Sequence, residues 1–293
     1  MGWAIAQYQD RMLWWFKSPL ILRGAGVVLG LGMITGSGGL GWGIVQATTG
    51  LHPVLGWGVS SILLAACFAG RSLRAAAEAV LQPLQPGELS QARIILQYFV
   101  GRDTDNLDRP EILRAVLETV TENATDGVLA PLFYALVGAM LPGVGSVPLA
   151  LAYKAASTLD SMVGYRKAPY TDLGWFSART EDVLTWLPCR CTVLTLAMLS
   201  GQPLHVWQIC RRDAPADPSP NSGWSQAAYA ASLGVQMGGT NWYGGIAKLK
   251  PRLGDPLQAI APKHIHRALQ YTRSVFLLWL SLGVLMLASA LHR

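Results

Sequence analysis

An all-α, polytopic integral membrane protein with broken or re-entrant helices and a cytoplasm-facing polar site is the architecture this sequence predicts. Three observations lead there. Of the 293 residues, 51% are hydrophobic and 14% charged, against roughly 25% charged in soluble domains. Apolar runs long enough to cross a bilayer stand at residues 20–47 and 274–291. Between them, shorter apolar runs broken by Pro and Gly lie beside dense groups of ionisable and hydroxyl residues at 98–182. Such groups are costly against hydrocarbon unless they pair or bind something.

Residues 1–19 read as an amphipathic surface segment, with Tyr8, Met12, Leu13, Trp14, Trp15 and Phe16 beside Arg11 and Lys17, an interfacial mixture. Residues 20–47 form a Gly-rich first span holding Arg23, residues 48–53 a tight turn, and 54–70 a shorter uncharged span. Lys and Arg flank this pair at Arg11, Lys17, Arg23, Arg71 and Arg74 but are missing from the turn. The positive-inside rule then puts both flanks in the cytoplasm. Residues 72–81 are a helix stopped by Pro83 and Pro86-Gly87, and a second helix runs from Ser90 to Gly101. After a charged loop at 102–110, Pro110 or Glu111 opens the helix carrying Glu118 and Glu122.

Residues 128–141 are apolar but too short to cross, and the Gly/Pro stretch 142–148 turns the chain back. An embedded hairpin would return Lys154 and Asp160 to the face holding Glu122 and Asp126. Residues 183–199 contain Pro188 and Arg190, which argues against a simple lipid-facing span. Residues 211–225 read as a polar Pro-rich loop and 234–245 as a Gly-rich loop. Lys263, His264, His266, Arg267 and Arg273 precede the last span. The expected regions are a membrane hairpin with an amphipathic start (1–86), a catalytic core (87–262) and a C-terminal span (263–293).

The formal charge of +6 sits beside apolar spans rather than in one run, so it marks juxtamembrane charge and not nucleic-acid binding. Cys189-Arg190-Cys191 lacks metal or redox spacing, and the four cysteines read as core fillers. Thr35-Gly36-Ser37-Gly38-Gly39-Leu40-Gly41 has no Lys and serves helix packing. GxSxG and HExxH are absent, and His264 and His266, two apart, read as interfacial. Residues 1–16 carry Asp10 and Arg11 and lack the apolar core of a cleavable signal peptide.

Glu118, Glu122 and Asp126 at i, i+4, i+8 share a face of a continuous helix. Their mutual repulsion leaves two readings, a solvated face or a Mg²⁺ site shared with phosphate oxygens. Lys154 is either a point charge for carboxylate or phosphate or a snorkelling interfacial Lys. Arg102 with Asp103 is a loop ion pair or an acid-backed anion clamp. Arg166, Lys167 and Arg179 add positive charge suited to a polyanion. Ser219-Pro220-Asn221-Ser222-Gly223 offers hydroxyls and an amide, and Met237-Gly238-Gly239-Thr240 offers backbone amides to phosphate.

Longer phrases carry a resemblance. Val100-Gly101-Arg102-Asp103-Thr104, Glu118-Thr119-Val120-Thr121-Glu122-Asn123 and Asp126-Gly127-Val128-Leu129-Ala130-Pro131-Leu132-Phe133 occur in order. Tyr153-Lys154-Ala155, Thr158-Leu159-Asp160-Ser161-Met162-Val163-Gly164-Tyr165, Ser219-Pro220-Asn221-Ser222-Gly223 and Leu233-Gly234-Val235-Gln236-Met237-Gly238-Gly239 follow. Over roughly residues 90–245 the sequence resembles the CobD/CbiB family of adenosylcobinamide-phosphate synthases in cobalamin biosynthesis. The resemblance implies an amide-forming ligase in the cell (inner) membrane. It would join adenosylcobyric acid to aminopropanol or its phosphate, with ATP and Mg²⁺ as the driving pair.

On that reading Glu118, Glu122 and Asp126 hold Mg²⁺ or deprotonate the amine. Arg102, Lys154, Lys167 and Arg179 face phosphates or corrin carboxylates, and Asp103, Asp160 and Asp182 orient them. Asn123, Tyr165, Ser219, Asn221, Gly238 and Gly239 complete the expected site. A homo-oligomer or a complex with other pathway enzymes is compatible with the resemblance. The family pattern opens with a further apolar span, a Gly-Asp-Pro element and a His-Pro-Val element. Met1-Gly2-Trp3-Ala4-Ile5 resembles the segment just after these, so the first span is expected to be missing. Ser157 and Cys189 also stand where the family favours Asn and Ala. Two other classes stay open: a transporter of a corrinoid or other anion, since Gly- and Pro-broken apolar segments suit one, and a non-catalytic scaffold of the pathway.

Overall fold

The computed structural model describes residues 1–165 and 168–291, so Arg166 and Lys167 of the expected positive patch lie outside the described residues. The chain is 76% helical. In order come α1 (Gly2–Trp15), α2 (Pro19–Leu51), α3 (Pro53–Cys67), α4 (Gly70–Leu84), α5 (Leu89–Gln97) and α6 (Arg109–Ala124). A π-helical turn, Thr125–Leu129, leads to α7 (Ala130–Met140), α8 (Ser146–Val163), α9 (Tyr170–Leu173), α10 (Trp175–Leu199), α11 (Pro203–Asp213) and α12 (Ser222–Leu233). Strands β1 (Met237–Tyr243) and β2 (Ile246–Leu253) precede α13 (Pro262–Leu291).

Among the described residues four helical stretches are long and apolar enough to cross a membrane: Pro19–Leu51, Pro53–Leu84, Trp175–Leu199 and Pro262–Ser289. The protein is an integral membrane protein. The chain divides into two compact units, one of Met1–Phe68, Ala130–Thr185 and Trp279–Arg293, the other of Ala69–Leu129 and Trp186–Leu278.

In the first unit α2 packs on α8 through small residues. A Cβ at Gly41 would stand 2.5 Å from Leu151 Cδ1, and one at Gly38 3.2 Å from the Pro148 carbonyl oxygen. Close backbone approach of this kind is what glycine supplies to helix pairs in lipid. The expected embedded hairpin is α7 and α8: Gly145 N–H donates to the Gly138 carbonyl at 3.1 Å across the turn. Trp42 Nε1 on α2 donates to the Gly143 carbonyl at 2.9 Å. The turn expected at 48–53 is shorter than its composition suggests, because α2 continues to Leu51 and His52 Nδ1 caps α3 by accepting the Val54 N–H at 3.2 Å. Arg23 Nε meets Asp172 at 2.9 Å.

In the second unit Asp108 caps α6 by accepting the Glu111 N–H at 2.9 Å, with Pro110 in the first turn. Helix α6 packs on α12 through hydroxyls: Ser225 Oγ bonds Thr125 Oγ1 at 2.9 Å and donates to the Thr121 carbonyl at 2.7 Å. The burden of Arg190 in α10 is met within this unit. It donates to the Pro220 carbonyl at 2.9 Å and lies over the Trp186 and Trp224 rings at 5.0 and 4.4 Å. The expected helix stop at Pro83 and Pro86-Gly87 holds, with Pro83 in the last turn of α4 and the helix ending at Leu84. Much of the expected loop at 211–225 is helical, divided between the end of α11 and the start of α12.

The expected Gly-rich loop at 234–245 is largely β1 of an antiparallel hairpin, with Asn241 opposite Lys248 and Tyr243 opposite Ile246. Its two-residue turn, Gly244-Gly245, has φ of 59° and 76°, the paired left-handed geometry that matches strand twist. The register shifts between Met237 and Gly239. There Gly238 has φ of 87°, and a Cβ would collide with the Pro251 carbonyl oxygen. Gly238→Ala is therefore expected to destabilise the chain by roughly 2–4 kcal/mol, read as a lower unfolding midpoint in detergent. A Gly239→Ala control meets open space but shares the left-handed φ, so it should lose less.

Candidate active site in the second unit

Four polar side chains from three segments close on one another. Arg102, from the loop after α5, donates to Glu118 and, at 2.9 Å, to Asn241 Oδ1 on β1. Arg114, one turn before Glu118 on α6, donates to Glu118 Oε1 at 2.8 Å, to Asn241 Oδ1 at 2.9 Å and to Glu111. It also holds the Gly238 carbonyl at 2.8 Å and the Thr240 carbonyl at 3.2 Å. The Gly238 N–H donates to Glu118 Oε1 at 2.9 Å. Arg102, Arg114, Glu118 and Asn241 are 7%, 7%, 3% and 2% exposed, so this is a buried cluster in which two guanidiniums share one carboxylate, with the half-buried Glu111 as a second acid on Arg114.

Burial by itself would raise the Glu118 carboxyl, but Arg102 and Arg114 outweigh it and hold Glu118 below the usual carboxylate range. For Arg114, burial works against the charge while Glu111 and Glu118 raise its pKa. Asp103 sits beside the cluster and ties the hairpin turn, accepting the Gly245 and Gly244 N–H groups at 2.8 and 2.9 Å. Those two bonds lower its carboxyl.

Glu122, one turn past Glu118, has a different setting. Gln226 Nε2 on α12 donates to its Oε2 at 3.2 Å and to Ser222 Oγ at 2.9 Å. Burial pushes the Glu122 carboxyl up, against the opposing pull of Lys250. Two carboxylates one helical turn apart are thus driven in opposite directions, the arrangement that separates an ionised group from a proton-exchanging one.

The expected magnesium site on Glu118, Glu122 and Asp126 does not fit this structure. Glu118 is committed to two arginines and a backbone N–H. Asp126 lies in the π turn, whose wider spacing breaks the regular i, i+4, i+8 register. Among the described residues no three His, Cys, Asp or Glu side chains gather to hold a metal. Asn123 is exposed and donates back to the Thr119 carbonyl at 2.9 Å. Ser219 caps its own loop, its Oγ accepting from the Asn221 and Ser222 N–H groups at 3.2 and 3.1 Å. Asn221 is buried and accepts from Arg190 at 3.3 Å.

Lys154, Asp160, Tyr165, Arg179 and Asp182 belong to the first unit. Lys154, Asp160 and Asp182 are half-buried and Arg179 is exposed. Tyr165 donates to the Ser161 carbonyl at 2.9 Å. Beside Lys154, the buried Tyr153 hydroxyl bonds Thr185 Oγ1 at 2.8 Å, and Thr185 donates to Glu181.

A cavity of about 1180 Å³ opens in the second unit, at or above the size of ordinary small-molecule pockets. Arg114, Gly238, Gly239 and Thr240 form one part of its wall, Asp103, Asp108 and Glu111 another, with Trp242 and Arg252 also lining it. Sequence reasoning missed Arg114, Asn241 and Trp242. The ladder Glu111, Arg114, Glu118 at i+3 and i+4 was the signal for the first, and the Gly244-Gly245 hairpin turn was the signal for the other two.

A family described as CobD/Cbib protein matches residues 1–272. The chain belongs to the CobD/CbiB family. A cobalamin biosynthesis protein CobD of Synechocystis sp. is 56% identical over 278 residues, covering 92% of this chain and 81% of the relative. A CobD of Geobacter metallireducens is 44% identical, covering 81% and 74%. A cobalamin biosynthesis protein CbiB of Salmonella arizonae is 41% identical, covering 86% and 78%. No solved structure matches the chain. As a CobD/CbiB protein the chain is an enzyme of cobalamin biosynthesis.

Proposed function

We propose that this CobD/CbiB chain forms an amide bond, joining a carboxylate of a corrinoid to the amine of an amino alcohol or its phosphate. The observation that carries the reading is the pair Glu118 and Glu122, held one turn apart in opposite electrostatic settings, with partners of Glu118 lining a large cavity. An ionised carboxylate is unreactive toward amines, so MgATP is proposed as the second substrate. The corrinoid carboxylate oxygen attacks the terminal phosphorus and ADP leaves. The amine nitrogen then attacks the acyl carbon, the C–O bond to phosphate breaks, and inorganic phosphate departs with its electrons. Glu122 is proposed to accept the surplus amine proton, a role suited to a carboxyl that burial raises above its ordinary value. Arg252 on the cavity wall is the cation proposed to meet phosphate. Arg102, Arg114 and Glu118 keep β1 and α6 in fixed register, so their part is positioning.

The test uses the purified full chain in detergent with adenosylcobyric acid, aminopropanol or its phosphate, and MgATP. Corrinoid amide and ADP are expected in equal amounts by chromatography. Formation without vesicles excludes transport and scaffolding as the main role, whereas no amide from an otherwise folded protein overturns the proposal.

A further inference from the structure

A second cavity, about 440 Å³, lies where α13 enters its apolar run. Arg267, Gln270, Arg273 and Ser274 line it at its polar end, and Leu277 and Leu199 line it with hydrocarbon. Positions 267, 270, 273/274 and 277 follow one another at helical spacing, so α13 presents them as one stripe. Leu199 closes α10, itself long and apolar enough to cross a membrane. The Arg267 guanidinium is held over the Tyr271 ring at 4.8 Å, which fixes its direction. Among the described lining residues there is no carboxylate. This chemistry suits a singly charged phosphodiester with hydrocarbon directly below it.

We infer that this cavity binds the headgroup of an anionic phospholipid, with Arg267 and Arg273 on the phosphate, Gln270 and Ser274 on the glycerol oxygens, and the acyl chains along Leu277 and Leu199. Two guanidiniums at the end of a span, both exposed here, recognise such a headgroup through charge-assisted hydrogen bonds. The lining shares no residue with that of the 1180 Å³ cavity, so the two sites are distinct.

The full chain in neutral detergent is titrated with phosphatidylglycerol, phosphatidylcholine of the same chain length, glycerol 3-phosphate and inorganic phosphate, and the unfolding midpoint is followed. Phosphatidylglycerol is expected to raise the midpoint saturably and the other three to leave it in place. Arg267→Gln with Arg273→Gln should weaken the lipid effect about tenfold or more. Gln270→Trp, which fills the cavity without changing charge, should weaken it as well. The pair Arg71→Gln with Arg74→Gln, exposed like Arg267 and Arg273, removes equal charge elsewhere and should leave it intact. An equal response to phosphatidylcholine or to free phosphate overturns the assignment. So does an equal loss in the Arg71/Arg74 variant, or an unchanged response in Gln270→Trp.

Discussion

Arg114→Met is expected to destabilise the chain by about 3–5 kcal/mol, the usual consequence of removing one partner from a buried ion cluster. The side chain is 7% exposed and joins two carboxylates, two carbonyls and the Asn241 amide oxygen. Methionine preserves volume but leaves Glu118 with Arg102 as its one cation, beside the Gly238 N–H, and strips the Gly238 and Thr240 carbonyls of this donor. Lysine keeps the charge, yet one ammonium cannot reproduce the fork, so Arg114→Lys should recover only part of the loss. The measurement is the denaturant midpoint of detergent-solubilised protein.

Its pH dependence has a definite sign. Glu118 is held below its ordinary range, so its stabilisation is present above the unfolded carboxyl pKa and is lost as pH falls through the lowered one. In Arg114→Met that loss should begin at higher pH. A triple replacement, Arg102→Met, Arg114→Met and Glu118→Leu, removes every buried charge at once and should stand closer to wild type in stability than Arg114→Met. Should Arg114→Met unfold at the wild-type midpoint, the cluster does not hold β1 on α6.

What the sequence made legible follows what each residue needs from distant partners. The first and last spans, the α7–α8 hairpin and the start of α6 depend on local hydropathy, Pro and capping, and their positions could be read directly. Trp175–Leu199 does not read as a simple span, because Pro188 and Arg190 interrupt it, and Pro53–Leu84 reads as cut short at residue 70. Glu122 could be singled out because its spacing from Glu118 puts two like charges on one helix face, which is costly unless something compensates them. The role of Glu118 could not, because Arg102 and Asn241, which neutralise and orient it, lie 16 and 123 positions away in the chain. Asp126 misled for a local reason: a π turn has no composition of its own, so the helical spacing was carried one turn too far. The hairpin was hidden by its glycines, which read as a loop until Gly244-Gly245 is recognised as a two-residue turn and Gly238 as a bulge.

Glu122→Gln is expected to lower the rate of amide formation about 10²–10⁴-fold, the range for loss of a positioned general base, while leaving the protein at least as stable at neutral pH. The two expectations share one cause. Burial raises the Glu122 carboxyl, so its protonated form is the one favoured by folding. The stabilisation from that proton is complete below the unfolded carboxyl pKa and disappears as pH rises through the elevated folded value. Wherever the unfolded carboxyl is ionised, the raised Glu122 therefore works against folding, and a neutral glutamine relieves this while still able to bond Gln226. The midpoints of the two proteins should converge as pH drops below the ordinary carboxyl range. Rate-against-pH profiles complete the test: wild type should lose activity on the acidic side as Glu122 takes up its proton, and the small residual rate of Glu122→Gln should lack that limb. A variant that turns over like wild type removes Glu122 as the base. A variant that is both slow and markedly less stable makes it a structural residue, leaving the proton of the attacking amine to another group.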